Sequence, residues 1–189
     1  MILGPFSLDR MVLAVERVRE RLLRATAALE QAGIAFAVAG GHAVAFWVTL
    51  ADLGGVRNTP DVDLLVRRSD LEAIRSTLEA VGFIFQIDLF LDGPEAKARD
   101  AVHLVFANEK VRAEELLPNP DVTDSVMTES YRVLSLEALV QIKLTAFRIK
   151  DRMHLRDLID VGLIDSSWVD RYPPQLRERL QSILDTPEG

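Results

Sequence analysis

The chain has 189 residues, no cysteine and a formal net charge of −7, and its shares of hydrophobic (49%) and charged (27%) residues are those of an ordinary globular protein. A chain of this length can bury roughly two-thirds of its unfolded surface, which excludes a disulfide-stapled miniprotein. The globular composition excludes wholesale disorder. The acidic balance excludes nucleic-acid binding by global attraction, and the lack of cysteine excludes thiolate metal sites and cysteine nucleophiles.

The first predicted element is an amphipathic helix from residue 7 to residue 31, which Gly33 ends. The segment before it lacks the basic residues of a signal peptide, so we expect a cytoplasmic protein. The apolar residues of this helix recur at helical spacing with charges between them: Leu8, Met11, Val12, Val15, Val18, Leu22, Leu23 and Leu29.

Residues 33–51 contain no formally charged side chain and match the length of a membrane span. His42 near the midpoint, and the two glycines before it, argue against a span, because the segment changes there from a strand-like to a helix-like pattern. We therefore predict a buried strand at 34–39, a tight turn and a buried helix at 42–53, with no membrane contact.

The turn is formed by Gly40 and Gly41, which allow close approach of the backbone and present amides at the start of a helix. Such a turn is a ready anion site, although a close-packed turn is the alternative. We expect His42 to lie near a bound phosphate rather than at a metal, because no Cys or His lies at a ligand spacing from it.

Residues 54–60 are predicted to form a loop and residues 61–66 a strand. Asp61 and Asp63 are two residues apart, so on a strand their side chains point to one face, about 6 to 7 Å apart, while Val62 packs behind. Two carboxylates so close repel each other unless a cation lies between them, and hard divalent ions take oxygen ligands and keep waters for a phosphate. This geometry serves phosphoryl or nucleotidyl transfer; a polar strand edge without a ligand is the alternative.

The middle of the chain alternates between further helices and strands. Residues 108–130 are rich in Pro, Asn and Glu, and we expect them to be irregular. The predicted elements are a helix at 69–80 capped by Ser69, a strand at 83–91, a turn at 92–94 and a strand at 101–107.

At the C-terminal end, Ser135 is predicted to cap a helix that runs towards Arg148 and continues or resumes over 151–162, and Pro173-Pro174 opens a last helix. On one continuous helix, four polar residues would share a sector of about 60° on an otherwise apolar face, which we interpret as a wall of a site. If Asp151 instead caps a new helix, Asp151 and Asp160 become equal candidates. The four polar residues are Lys143, Lys150, His154 and Asp157, and the arginines of the far side, expected to be solvated, are Arg148, Arg152 and Arg156.

The order of the elements predicts an α+β (mixed α/β) fold, with a small mixed β-sheet, flanking helices and a C-terminal helical layer. We expect residues 1–134 to form the α/β core with its N-terminal helix. Residues 135–189 are expected to form a helical part packed on that core, so that the chain is one compact unit.

These motifs resemble the nucleotidyltransferase superfamily, in which a Gly-Gly or Gly-Ser turn leads into a helix and an Asp-x-Asp strand follows. Downstream, Lys143 and the segment 148–157 resemble the Lys…Arg-x-Lys-Asp…Asp-Leu helices of the abortive-infection (AbiEii toxin-like) branch. The resemblance covers residues 35–163, and the order and spacing of its short motifs are the specific signal. The matching residues of the first half are Gly40, Gly41, Asp61 and Asp63, with Arg57 and Thr59 in the Arg-x-Thr-x-Asp-x-Asp form.

The resemblance implies transfer of a nucleoside monophosphate from an NTP to a hydroxyl or an RNA 3′ end, with Mg²⁺ or Mn²⁺ as cofactor. The acceptor stays open between a small molecule, a tRNA end and a protein, and the toxin-like branch implies a cognate antitoxin. A catalytically impaired module that binds a nucleotide or a protein is the alternative. The implied roles are metal binding for Asp61 and Asp63, phosphate contact for Gly40, Gly41 and Thr59, charge neutralisation for Arg57, Lys143 and Lys150, and orientation of a lysine or the acceptor for Asp157.

One position departs from the family pattern. A later strand should carry a third carboxylate, and the expected position holds His103. An imidazole binds Mg²⁺ poorly but titrates near neutral pH, so His103 is a candidate general base, a core histidine or the mark of an inactive site. Asp100 would substitute only in a different register, because it points to the opposite face.

Overall fold

A computed structural model of the chain describes residues 8–52, 54, 59–87, 89–97 and 100–186. Arg57, one of the predicted site residues, therefore lies outside the described residues. The helices are α1 (Leu8–Gln31), α2 (Gly40–Ala51), α3 (Leu71–Ala80), α4 (Leu136–Ala146), α5 (Ile149–Asp160) and α6 (Pro174–Leu184), with short 3₁₀ helices at Arg68–Asp70 and Ser166–Arg171. The strands are β1 (Phe36–Val38), β2 (Val62–Val66), β3 (Ile84–Gln86), β4 (Leu89–Leu91), β5 (Ala101–Phe106), β6 (Ser125–Met127) and β7 (Arg132–Leu134).

The strands form one mixed sheet in the order β3-β4-β5-β2-β1-β7-β6. The acidic strand β2 lies at its centre, parallel to β5 and antiparallel to β1. The apolar residues of β1 and β2 are fully buried, because helices cover the sheet. The predicted α+β fold with a small mixed sheet and flanking helices is confirmed.

The hydrophobic core is continuous from α1 through the sheet to α6. It includes Leu29 of α1, Leu64 of β2, Leu144 of α4, Leu155 of α5 and Leu180 of α6. The C-terminal helices therefore pack on the same core as the strands. None of the helices in the described ranges combines the length and apolar character that a bilayer crossing needs, and the uncharged segment 33–51 is a strand followed by a helix.

Three local predictions were wrong. The strand expected at 83–91 is a hairpin of β3 and β4, and the segment 108–130, expected to be irregular, contributes β6, which pairs with β7. Ser69 does not cap α3; Asp70 occupies that position, and its side chain makes no capping hydrogen bond. Ser135 does cap α4, and its hydroxyl accepts a hydrogen bond from the amide of Ala138.

The sequence left open whether the helix after Ser135 continues or resumes beyond Arg148, and the structure shows two helices. Phe147 adopts a left-handed conformation (φ +48°) and ends α4, and α5 begins two residues later. The carboxylate of Asp151, in the first turn of α5, accepts a hydrogen bond from the amide of Arg148 at 3.2 Å. This capping contact stabilises a new helix start, which is the alternative in which Asp151 caps a second helix.

Candidate functional site

The two predicted metal-binding aspartates lie together at the start of the central strand. Asp61 directly precedes β2 and Asp63 is its second residue, whereas Val62 and Leu64 between and beyond them are fully buried. Because side chains alternate along a strand, the two carboxylates share the face opposite those apolar residues. The amide of Ala39 donates to the carbonyl oxygen of Asp63 at 2.8 Å, which joins the end of β1 to this part of β2.

The two glycines at the start of α2 pack closely against Asp63 and Thr59. Gly40 has a φ of +59°, and a Cβ atom placed on it would lie 1.8 Å from Oδ2 of Asp63. A Cβ atom on Gly41 would lie 2.9 Å from the hydroxyl oxygen of Thr59. The glycines are therefore required by the close approach of the α2 start to the acidic strand, a packing reason that is independent of any bound phosphate.

His103 lies on the neighbouring strand beside Asp63. The two are register partners in the parallel β2–β5 pair, and laterally paired residues of a sheet point to the same face. The structure therefore places the imidazole on the same face of the sheet as Asp63. Asp100 precedes the first residue of β5, so the register of the β2–β5 pair does not include it.

Asp61 has a lowered pKa because of two neighbours. Burial by itself raises the pKa, but the hydroxyl of Thr59, which donates to Oδ1 at 2.6 Å, and the ammonium of Lys150 outweigh it. Nζ of Lys150 lies 3.7 Å from Oδ2 of Asp61. Asp61 is therefore a firmly ionised carboxylate at neutral pH.

Asp63 behaves in the opposite way. Burial raises its pKa above the ordinary aspartate value, and the charge of Asp61 raises it further, while Lys143, His103 and Lys150 only partly compensate. An ionised Asp63 therefore carries negative charge that the protein leaves under-compensated. A divalent cation between the two carboxylates would relieve this repulsion, so the donor set fits such an ion.

The cation would have few protein ligands. Over the ranges that the structure describes, no group of three or more His, Cys, Asp or Glu side chains is arranged to hold a metal ion. Two carboxylates with water and phosphate oxygens completing the shell are typical of Mg²⁺ bound with a nucleotide rather than in an all-protein cage.

A buried ion pair lies next to the acidic pair, at the junction of α4 and α5. Nζ of Lys143 lies 3.2 Å from Oδ1 of Asp151, and the side chains are only 5% and 1% exposed. Nε of Arg148 donates to the other carboxylate oxygen of Asp151 at 2.7 Å. Burial lowers the pKa of Lys143, against the opposing charges of Asp151 and Asp63. Lys143 thus connects the acidic strand electrostatically to the α4–α5 junction.

Replacing Asp151 with Asn is expected to lower the free energy of unfolding at pH 7 by about 2 kcal/mol, because it leaves Lys143 buried without its anion while keeping the shape of the side chain. Burial raises the pKa of Asp151, but Arg148 and Lys143 outweigh it, so the folded pKa is below the ordinary value. The contribution is then present above the unfolded pKa and is lost as pH falls through the folded pKa.

Urea denaturation of the wild type and this variant at pH 7 and pH 3 measures both effects, and the difference should shrink at pH 3. The exposed Asp160, near the end of the same helix, provides the control: Asp160→Asn should change stability by less than about 0.5 kcal/mol. Equal losses in the two variants would show that the Lys143 pair contributes nothing specific.

Two cavities flank the acidic pair. The first, about 230 Å³, lies between α2 and α5, and Lys150 and Asp157 are among its lining residues. The second, about 200 Å³, is lined by Asp63 and Glu115 together with three basic residues, Lys143, Arg148 and Arg112. Gly41, Thr59 and His154 also line the first cavity.

The predicted polar stripe is therefore divided between two places. Lys150, His154 and Asp157 line the first cavity, and Lys143 lines the second, because the helix break turns α5 relative to α4. Asp160 is exposed, so Asp151 and Asp160 are not equivalent. The stripe expected on one continuous helix is therefore split, as the alternative of a helix break implied, although the charges of Lys143 and Lys150 both act on Asp63.

The far-side arginines are not simply solvated. Arg148 binds Asp151, and the guanidinium of Arg156 donates to the carbonyl oxygens of Ile183 and Thr186 at the end of α6. Arg152 is exposed and lies over the ring of Phe147. These contacts fasten helices together, and Arg148 and Arg156 are engaged in them.

Sequence reasoning missed two groups of residues around the site. Arg21 of α1 is buried and donates to the carbonyl oxygen of Pro60 at 2.9 Å, which holds the segment before Asp61. Arg112 and Asn119 line the second cavity from the segment that was expected to be irregular. Arg21 is one of five arginines in the amphipathic pattern of α1, and nothing in the sequence distinguishes it from the others, which look like solvated charges.

Comparisons with known proteins agree with this fold. No family model matches the chain, and no curated protein matches its sequence. A protein from H. pylori, provisionally identified as a nucleotidyltransferase, is similar in structure with a TM-score of 0.50 and 15% identity, over 96% of this chain and 80% of that one.

The antibiotic-resistance factor ANT(2″)-Ia also matches. Its solution structure gives a TM-score of 0.42 and 16% identity, over 96% of this chain and 85% of that one. Its crystal structure in complex with adenylyl-2″-tobramycin gives 0.42 and 15%, over 94% and 96%. At these identities the likeness to the H. pylori protein shows the fold, which is nucleotidyltransferase-like, and nothing about substrates.

Proposed function

We propose that this protein is a divalent-metal-dependent nucleotidyltransferase, which transfers a nucleoside monophosphate from an NTP to an acceptor hydroxyl. The observation that carries the proposal is the pair of carboxylates Asp61 and Asp63 on the central strand, closely covered by the glycine start of α2. A purely structural strand gains nothing from burying Asp63 beside a second carboxylate, because burial and the charge of Asp61 both disfavour its ionised form.

Asp61 and Asp63 would hold Mg²⁺ or Mn²⁺, and the bound ion supplies Lewis-acid stabilisation of the phosphate oxygens. The chain's own groups do the positioning. The amides at the start of α2, at Gly40 and Gly41, and the hydroxyl of Thr59 contact the phosphates of the NTP. Lys150, whose ammonium lies 3.7 Å from Asp61, and Lys143, whose charge acts on Asp63, neutralise the phosphate charge, together with Arg57.

The transfer is a single displacement at the α-phosphorus. The acceptor oxygen forms a bond to phosphorus, the bond from phosphorus to the bridging oxygen breaks, and pyrophosphate leaves with the electron pair. The acceptor proton passes to the imidazole of His103, which acts as the general base. Asp157, which lines the first cavity together with Lys150, orients Lys150 or the acceptor.

Pyrophosphate release tests this function. Each common NTP, labelled at the α-phosphate, is incubated with Mg²⁺ and either tRNA, a pool of hydroxyl-bearing small molecules or protein acceptors. We expect release and labelled product with the wild type and none with Asp61→Asn. Absence of release, together with unchanged thermal stability in Mg²⁺ and NTP, would contradict the proposal.

Replacing Lys150 with Ala is expected to lower kcat/KM by about ten- to a hundredfold, because it removes one charge-assisted contact to phosphate. Lys150 is half-exposed and belongs to no buried pair, so the fold should be unaffected. Arg152→Ala, two residues further along α5 and outside the first cavity, is the matched control and should keep activity within about twofold. Equal losses in the two variants would remove Lys150 from the site.

A non-catalytic module is the second candidate, and His103 in place of a carboxylate favours it. In that case the fold binds a nucleotide, or a protein partner such as a cognate antitoxin of the abortive-infection kind, without turnover. Tight NTP binding that is unchanged by His103→Ala, with no pyrophosphate release, would support it. Loss of turnover in His103→Ala with retained NTP binding would support the enzyme instead.

An RNA 3′ end is the less favoured acceptor. An RNA end would need a local basic patch, but the arginines of α5 and its start are largely engaged, since Arg148 binds Asp151 and Arg156 binds the end of α6. The net charge of −7 gives no general attraction to a phosphate backbone. A cytoplasmic location remains part of this proposal.

A further inference from the structure

A third opening lies beside the acidic pair, between the N-terminal half of α1 and the start of α2. We call it the α1 groove; its volume is about 490 Å³. It ends at Thr59, whose hydroxyl donates to Asp61, so the groove reaches the acidic pair from the side of α1. Its walls include Met11, Val15 and Val18 of α1 and, facing them, His42, Ala45 and Tyr131.

The groove exists because the N-terminal half of α1 extends beyond the hydrophobic core on which its C-terminal half packs. Leu22 and Leu29 of α1 are buried in the core. The same helical face continues towards the N-terminus through Val18, Val15 and Met11, where Val15 is still 42% and Met11 48% exposed. An apolar face that stays exposed opposite a concave wall is typical of a binding groove.

The polar groups of the groove are few and specific. The buried Nε2 atom of His42 has no hydrogen-bond partner among the described residues. Burial lowers the pKa of His42, an effect that the charge of Asp61 only partly opposes, so the imidazole is neutral and ready to form one hydrogen bond. Burial likewise raises the pKa of Tyr131, which keeps its hydroxyl neutral.

The charges of the lining exclude two classes of ligand. Among the described residues the groove has no carboxylate, so a polyamine-like cation finds no anionic partner there. The described lining has one strongly basic residue, Arg19, so a polyphosphate or nucleic-acid chain would find only one cationic partner there. An uncharged molecule with an apolar body and a hydroxyl group matches what remains.

We propose that the α1 groove binds the acceptor, and that the acceptor is an uncharged, largely apolar small molecule bearing a hydroxyl. The proposal rests on the proposed function, which requires an acceptor beside Asp61. The apolar body lies along Met11 and Val15, and the hydroxyl lies near His42 and Thr59. There its oxygen bonds to the α-phosphorus as pyrophosphate leaves with the electron pair, and its proton passes to His103 as in the proposed function.

Binding of 1-naphthol, which is uncharged and apolar with one hydroxyl, tests the proposal through saturation-transfer NMR and calorimetry. Val15→Glu places a charge on the groove wall and should weaken naphthol binding by at least about tenfold. The matched control is Leu13→Glu, which makes the same change two residues away on the same helix, outside the groove and already 56% exposed. It should change naphthol binding by less than about twofold, and circular dichroism should show both variants folded.

Tobramycin, a polycation, is the contrasting probe and should not compete with naphthol. Naphthol binding that is absent, that is equal in the two variants, or that tobramycin displaces would each overturn the proposal. ATP binding with Mg²⁺ is measured separately in the same variants. If ATP does not bind while naphthol binding behaves as expected, the proposed function is contradicted but the groove stays a binding site. If ATP binds and naphthol binding is insensitive to Val15→Glu, the groove proposal alone is contradicted.

Discussion

Replacing Asp63 with Asn is expected to reduce nucleotidyl transfer by on the order of a thousandfold or more and, at the same time, to stabilise the protein. The activity is expected to fall because one of the two proposed cation ligands is lost. The stability rises, by roughly 1 kcal/mol, because burial and the charge of Asp61 raise the pKa of Asp63, so its ionised form is disfavoured in the folded state at pH 7. Opposite signs of the two effects are typical of a functional residue rather than a structural one.

The measurements are kcat/KM from pyrophosphate release and the midpoint of thermal unfolding with and without Mg²⁺. Mg²⁺ should raise the midpoint of the wild type, because an ion that binds the folded state alone stabilises it, and should not raise that of Asp63→Asn. The exposed Asp160 again offers a control, since Asp160→Asn should alter neither quantity. A destabilised Asp63→Asn variant that keeps its activity would contradict the role of Asp63.

Replacing Gly40 with Ala is expected to lower the free energy of unfolding by about 3 kcal/mol and to remove most activity. The new methyl group would occupy space now taken by the carboxylate of Asp63, 1.8 Å from Oδ2. The backbone at Gly40 also has a φ of +59°, which costs an L-residue about 1 to 2 kcal/mol. The carboxylate must move away from Asp61, and the proposed cation site is lost with it.

Gly33 separates the two costs. Its φ of +67° is close to that of Gly40, but a Cβ atom there would meet nothing within 4 Å. Gly33→Ala should therefore show the conformational cost alone, about 1 to 2 kcal/mol, with activity retained. Urea denaturation and the transfer assay on both variants measure the difference, and similar activity losses in the two would show that contact with Asp63 is unimportant.

The sequence was informative where local pattern decides the structure. The alternation of β2 placed Asp61 and Asp63 on one face, and the register of the sheet pairs His103 of β5 with Asp63. The turn before α2 was recognisable from its two glycines. That the glycines contact Asp63 and Thr59 was not predictable, because the contact joins segments about 20 residues apart.

Long-range contacts explain the failures. The break between α4 and α5 depends on Asp151 binding both Lys143 and the amide of Arg148, and the helical pattern of the sequence continues straight through it. The unequal pKa values of Asp61 and Asp63 depend on Lys150, which approaches from α5, and on burial that differs between two residues of one motif. No pattern in the chain distinguishes the two aspartates.

The most direct test of the account is a crystal structure with Mn²⁺ and a non-hydrolysable NTP analogue, read through the anomalous signal of the metal. We expect a peak between the carboxylates of Asp61 and Asp63, coordinated by α-phosphate oxygen, with the remaining phosphates at the start of α2. Nucleotide or metal bound elsewhere on the chain, with the two aspartates contacting neither, would contradict it.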